Sequence, residues 1–115
     1  MDIEFIRQIC ISLPAVTEAI KWDNDLVFSV GGKMFCVVAL DPPFRCSFKV
    51  DDEAFEEMSR QPGMIPAPYL ARAKWVQVSD EKLFPLLDWK AKLKQSHHLV
   101  KARLTKKMRT ELGLD

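Results

Sequence analysis

The stretch "DLVFSVGGKMFCVVAL", residues 25–40, decides the fold. Two runs rich in β-branched and aromatic residues flank Gly31-Gly32, and glycine accepts the positive φ that a two-residue hairpin turn requires. That turn predicts the pairs Val30 with Lys33, Phe28 with Phe35, and Leu26 with Val37. One face then holds Leu26, Phe28, Val30, Phe35, Val37 and Ala39. The other holds Val27, Ser29, Met34, Cys36 and Val38. The first face is bulkier and is expected to meet the helices. A slip of one residue would exchange the faces, so the turn carries much of the specification.

Outward from the hairpin, the period changes. Before it, Ile3, Ile6, Ile9 and Leu13 recur at helical spacing, which predicts a helix over 2–12 that Pro14 ends. After it, "DPPF" (41–44) makes a stiff loop, because proline fixes φ and cannot donate to a ladder. "RCSFKV" (45–50) follows as a strand, with Cys46, Phe48 and Val50 inward and Arg45, Ser47 and Lys49 outward. Asp51 or Asp52 can cap a short helix that ends near Arg60, and acids in its first turn suit the helix dipole. Pro62-Gly63 stops it. Trp75–Val78 reads as a further strand, and Ser79 or Asp80 opens the C-terminal helical region. Pro85 fits only a first turn, which starts the main helix near Phe84. Leu86, Trp89, Leu93, Val100 and Leu104 form one stripe of that helix, with Lys90, Lys94, His97 and Lys101 beside it. Thr105 can cap a last short helix that Gly113 ends. The expected order is helix, three or four antiparallel strands, short helix, strand, long helix, short helix. This is an α+β domain, with an antiparallel sheet and helices packed on one face.

The chain has 115 residues, enough for one domain over 1–115 with a core of its own. Hydrophobic residues make up 48%, which argues against disorder. No apolar run approaches the ~18 residues of a membrane span. The opening "MDIEFIRQIC" is acidic and amphipathic and does not read as a signal peptide. Cys10, Cys36 and Cys46 are odd in number and lack a CxxC pair, so reduced, buried thiols in a cytoplasmic protein are expected. Net charge is +1 but uneven: residues 1–57 carry 11 acids and 5 bases, and residues 58–115 carry 5 acids and 12 bases. Between Asp88 and Glu111 stand eight bases and no acid. This asymmetry suits an anionic partner, although a solvated helix face would also explain it.

No catalytic constellation is visible, and no cofactor or metal is expected. Cys36 and Cys46 sit in strand patterns among apolar residues, where a thiol lacks the activating base that nucleophilic chemistry needs. His97 and His98 are adjacent, and neighbours on a helix diverge by about 100°, so they do not share a metal. The pattern of a phosphate-cradling loop, a zinc-protease helix or a nucleophile elbow does not occur.

The most concentrated site candidate is "MIPAPYLARAKWV" (64–76). If Val76 and Val78 face the helices, Trp75 lies on the open side of the sheet with Arg45, Ser47 and Lys49. A sheet that carries an aromatic among cations can stack bases and bind phosphates. Lys33 at the hairpin tip, Arg45, Lys49, Tyr69, Arg72, Lys74 and Trp75 are the candidate nucleic-acid contacts. Read blandly, Pro66 and Pro68 stiffen a crossing connection while Tyr69 and Trp75 plug the sheet edge.

The blocks "LPAVTEAIKW", "VGGKMFCVV", "SFKVDDEAFEEM", "PGMIPAPYLARAKWV" and "LTKKMRTELGL" occur in order over roughly residues 3–114, and together they resemble the MmcQ/YjbR family. The resemblance implies a frataxin-like (CyaY-like) fold in a small cytosolic bacterial protein. It also implies a DNA-binding label resting on a "double-wing" arrangement of hairpins, and it brings no catalytic residues. Ala15 and Asp23 stand where the family commonly has glycine, so those turns must bend another way, with Asn24 one means. His98 stands where a tyrosine is usual after Ser96. A frataxin-like fold raises the idea of an iron-binding acidic ridge. Here Asp51, Asp52, Glu53, Glu56 and Glu57 lie on the second helix, where they read as ordinary helix-start acids. The expectation is a non-enzymatic module that binds DNA through the basic, aromatic sheet face. The alternative is a protein-interaction domain that uses the same face or the sheet edge. A monomer is the default, because one core can use up the apolar surface.

Overall fold

The computed structural model describes residues 3–114. Helix α1 (Glu4–Ile11) leads into four strands, β1 (Val16–Lys21), β2 (Asp25–Val30), β3 (Lys33–Ala39) and β4 (Cys46–Lys49). Then come α2 (Asp52–Met58), β5 (Met64–Pro66), β6 (Trp75–Val78), α3 (Leu86–Lys101) and α4 (Lys106–Glu111). The expected first helix over 2–12 is shorter at both ends, and its Asp2 lies outside the described residues. All six strands join one antiparallel sheet in the order β1-β2-β3-β4-β6-β5. The domain is α+β, and the buried residues of α1, α2 and α3 share one core with the inward face of the sheet.

The hairpin turn forms at Gly31-Gly32, both at positive φ, and Val30 pairs with Lys33. The register then shifts. Phe28 lies opposite Cys36, and Leu26 opposite Val38, because a β-bulge interrupts the ladder beside Phe28 and Ser29. Phe35 and Cys36 are both fully buried in the core, so the alternation inverts beyond them. Cys36 and Val38 join the core, whereas Val37 and Ala39 line the open face. The predicted pairs Phe28–Phe35 and Leu26–Val37 are therefore corrected by one residue, and β3 exchanges faces part-way along. Such a bulge adds one residue to one strand and re-aims the side chains beyond it.

Two strands were not delineated by the sequence pattern. β1 is an exposed edge, and β5 is a three-residue edge strand that contains Pro66. Proline is tolerated there because an edge strand can leave one side of its backbone unpaired.

The helix ends follow local chemistry. Asp51 accepts from the Ala54 N–H at 2.7 Å, and Thr105 from the Met108 N–H at 3.1 Å. These bonds satisfy donors that a helix start leaves unpaired. Trp89 anchors the core: Phe5, Phe44, Phe48 and Phe84 stand edge-on to its indole, which donates to the Glu81 carbonyl at 2.8 Å. Leu86 leaves the predicted stripe and is exposed, while His97 leaves its basic neighbours and is buried. Arg7 clasps Glu18 through two bonds of 2.9 and 3.0 Å, tying α1 to β1. Among the described residues, no helix is long and apolar enough to cross a membrane.

Candidate functional site: a basic cleft and an aromatic-rimmed groove

The seven candidate residues fall into two cavities rather than one platform. The first is a cleft of about 540 Å³ lined by Lys33, Lys49, Arg72 and Lys74, with Trp75 in its wall. Antiparallel pairing explains the convergence. Lys33 starts β3, Lys49 ends β4 opposite Trp75, and these positions fall at one end of the sheet. Arg72 and Lys74 come from the short 3-10 turn just before Trp75. Arg103, just past α3, completes the set. Five cations thus surround one cleft, with Asp52 the acid among its lining residues.

These cations are not equivalent. Lys49 donates its ammonium to the Ala73 carbonyl, and burial holds it below the ordinary lysine value, helped by the Arg103 charge. Lys74 sits 5.0 Å from the centre of the Phe55 ring. Lys33, Arg72 and Arg103 are exposed, and none makes an ion pair among the described residues. The cleft therefore offers three uncommitted cations over two that also hold the local structure. Trp75 lies on the open side of the sheet as its alternation predicts, with Val76 and Val78 in the core. It is only 4% exposed, however, so its ring is a wall and not a stacking surface.

The second cavity, about 490 Å³, lies on the open face of the sheet. It takes the other two candidates, Arg45 and Tyr69, and adds Trp22 and Asp25. Tyr69 is fully exposed and Trp22 is 64% exposed. Both hold left-handed backbone, at φ 66° and 55°. The second family glycine position is thus bridged by Trp22, not by Asn24; Asn24 instead donates to the Asp41 carboxylate at 2.9 Å. At the first, Ala15 itself adopts φ 58°. Sequence reasoning missed Trp22 and Asp25, and it placed Arg103 only among the eight bases of the C-terminal region, not with the sheet cations. The available signal for Trp22 was an aromatic set among turn formers in "KWDND".

The other candidates have local roles. Cys10, Cys36 and Cys46 are buried free thiols, with the sulfurs of Cys36 and Cys46 3.7 Å apart. The Cys10 thiol is pushed far up by its hydrogen bond with Cys36 and by burial, and burial pushes Cys36 up too. Thiols so placed are poor nucleophiles. His97 is 5% exposed, its Nε2 is 2.9 Å from the Pro14 carbonyl, and its ring stands edge-on to Phe35. A carbonyl can only accept, so Nε2 carries the proton. Among the described residues, no group of three or more His, Cys, Asp or Glu is placed to hold a metal ion.

A six-stranded antiparallel sheet with helices on one face and a basic cleft at its end makes this a small α+β domain. The chain belongs to the YjbR family, whose family model matches residues 11–99. It is similar to the crystal structure of Deinococcus radiodurans protein DR2400, which carries the DUF419 domain: identity is 31%, the match covers 98% of this chain and 88% of that one, and the TM-score is 0.87. A Pseudomonas syringae protein of solved structure shares the fold, with 14% identity, 87% of this chain and 99% of that one covered, and a TM-score of 0.71. No curated protein matches the chain.

Proposed function

We propose that this protein is a non-enzymatic module that binds DNA by its phosphate backbone in the basic cleft. The observation that carries this is the convergence of Lys33, Lys49, Arg72, Lys74 and Arg103 on one cavity. Net charge is only +1, so attraction is local to the cleft and not spread over the surface. The helix–sheet–helix order supports the frataxin-like reading that the resemblance implies, but function rests on the site and not on the fold. With DNA phosphates as ligand, affinity falls steeply with salt. Fluorescence anisotropy with a labelled duplex and a labelled single strand, at two salt concentrations, tests it. Binding that ignores salt, or no binding at low salt, would sink the proposal.

The second reading is a protein-interaction domain. The exposed edge strand β1, with Ile20 and Trp22 both about two-thirds exposed, favours it. Extended segments add to such edges. Here Ile20→Lys removes partner capture while leaving the salt-dependent DNA binding of the cleft intact.

A further inference from the structure

We infer that the groove on the open sheet face is a binding site for a small zwitterion, a free amino acid with an apolar side chain. The inference does not rest on the basic cleft, and it uses a different set of charges.

The floor of the groove carries a row of three residues across neighbouring strands. Asp25 of β2 pairs with Ala39 of β3, and the Ala39 N–H donates to the Arg45 carbonyl at 2.9 Å. An acid and a base therefore flank a residue whose side chain is one methyl group. All three line the groove. Asp25 and Arg45 stand two strand spacings apart, roughly 10 Å between α-carbons. Neither makes an ion pair among the described residues, with each other or with anything else. Both are partly buried. A partly buried, unpaired acid and base in one groove suit a ligand that carries both charges. Both side chains rise from the same open face on either side of Ala39, so a short ligand seated over Ala39 has an acid on one side and a base on the other. The guanidinium can take the carboxylate with two parallel bonds, and Asp25 can accept from the ammonium.

The rest of the groove supplies an apolar seat. Met34, Val37 and Leu70 line it, and Trp22 and Tyr69 rim it. Trp22 comes from the β1–β2 turn and Tyr69 from the β5–β6 connection, at opposite edges of the sheet. Left-handed backbone is strained for a non-glycine residue. Two large aromatics held that way on one groove fit the tendency of backbone strain to gather where ligands bind. A long nucleic-acid strand is disfavoured here, because Asp25 lines the groove and Asp23 adjoins Trp22.

The test is an amide-shift NMR titration of the full chain with L-phenylalanine and L-leucine. Phenylacetate lacks the ammonium, phenethylamine lacks the carboxylate, and N-acetyl-phenylalanine amide lacks both charges. Either amino acid is expected to saturate shifts around Trp22, Ala39 and Gln77, at least about tenfold more tightly than all three analogues. Asp25→Asn is expected to abolish the preference over phenylacetate, and Arg45→Gln the preference over phenethylamine. Both side chains reach solvent, so the dispersed spectrum reports that each variant is folded. No saturable shift with either amino acid up to about 10 mM overturns the proposal. So does equal binding of the doubly blocked analogue, which would make the groove a reader of peptide side chains and a protein-docking site.

Discussion

Ser96 of α3 donates its hydroxyl to the Phe35 carbonyl at 2.6 Å, and the same oxygen accepts from the Lys49 N–H at 2.9 Å. Phe35 sits in the bulged stretch of β3, where the ladder leaves a carbonyl without its usual partner. Lys49 is the last residue of β4. One fully buried serine thus closes two backbone valences on adjacent strands and locks α3 onto the sheet.

Ser96→Ala leaves a carbonyl and an N–H without their partner beneath α3, and each such group costs about 1–3 kcal/mol where water does not reach it. The expected loss is about 2–4 kcal/mol in urea unfolding, with the slope unchanged. A loss below about 0.5 kcal/mol, typical of a surface change, would show that water or a local shift replaces the serine.

The bulge also explains what the sequence left unread. Gly31-Gly32 announced the turn, and the turn formed as expected. Nothing in "MFCVV" announces that Phe35 and Cys36 both point inward, because every residue there is apolar and either register buries something. β5 is three residues with a proline, too short for a period to appear. Lys33, Lys49, Arg72 and Lys74 were legible as cations of one sheet platform, and strand pairing is what gathers them at one end of it. Arg45 and Tyr69 were assigned to the same group, yet they line the groove with Trp22 and Asp25. That grouping needs the β5–β6 connection to place Tyr69 over the open face, a tertiary fact with no local signal.

Ala15 is the simplest place to test the backbone. Its φ of 58° suits glycine, and its side chain is exposed. Relief of left-handed strain favours Ala15→Gly by about 1–2 kcal/mol, and the added freedom of the unfolded chain opposes it by about 0.4–1 kcal/mol. The variant is expected to gain roughly 0.5–1 kcal/mol in chemical denaturation. A destabilised Ala15→Gly would mean that the methyl group makes a contact worth more than the strain.

His97 ties stability to pH. Burial lowers its folded value, Lys101 and His98 push the same way, and the Pro14 carbonyl opposes them. The unfolded imidazole takes a proton near pH 6.5, before the folded one does. The stability from His97 is therefore complete above about pH 6.5 and lost as pH falls through the lowered folded value. The urea midpoint is expected to be lower at pH 5.5 than at pH 7.5. In His97→Gln, whose amide can still donate to Pro14, that difference shrinks. An unchanged difference would place the pH response elsewhere.

The last prediction separates the two basic regions. Lys90 and Lys94 stand exposed on α3, the flank where long lysine stems usually cover a core edge. Arg72 and Arg103 line the cleft from two separate segments, and neither is committed to an ion pair among the described residues. Two guanidiniums with fixed forks also suit phosphate oxygens better than mobile ammoniums do. Arg72→Ala with Arg103→Ala is therefore expected to weaken DNA binding more than Lys90→Ala with Lys94→Ala. Each lost phosphate contact lowers the salt slope by about 0.7–0.9, so the cleft pair removes about 1.4–1.8 and the helix pair close to none. Both variants carry the same change in net charge, so a general field effect would weaken them equally. Equal weakening, or a larger effect from the helix pair, would move the DNA contact out of the cleft and leave Lys49 and Lys74 with structural roles alone.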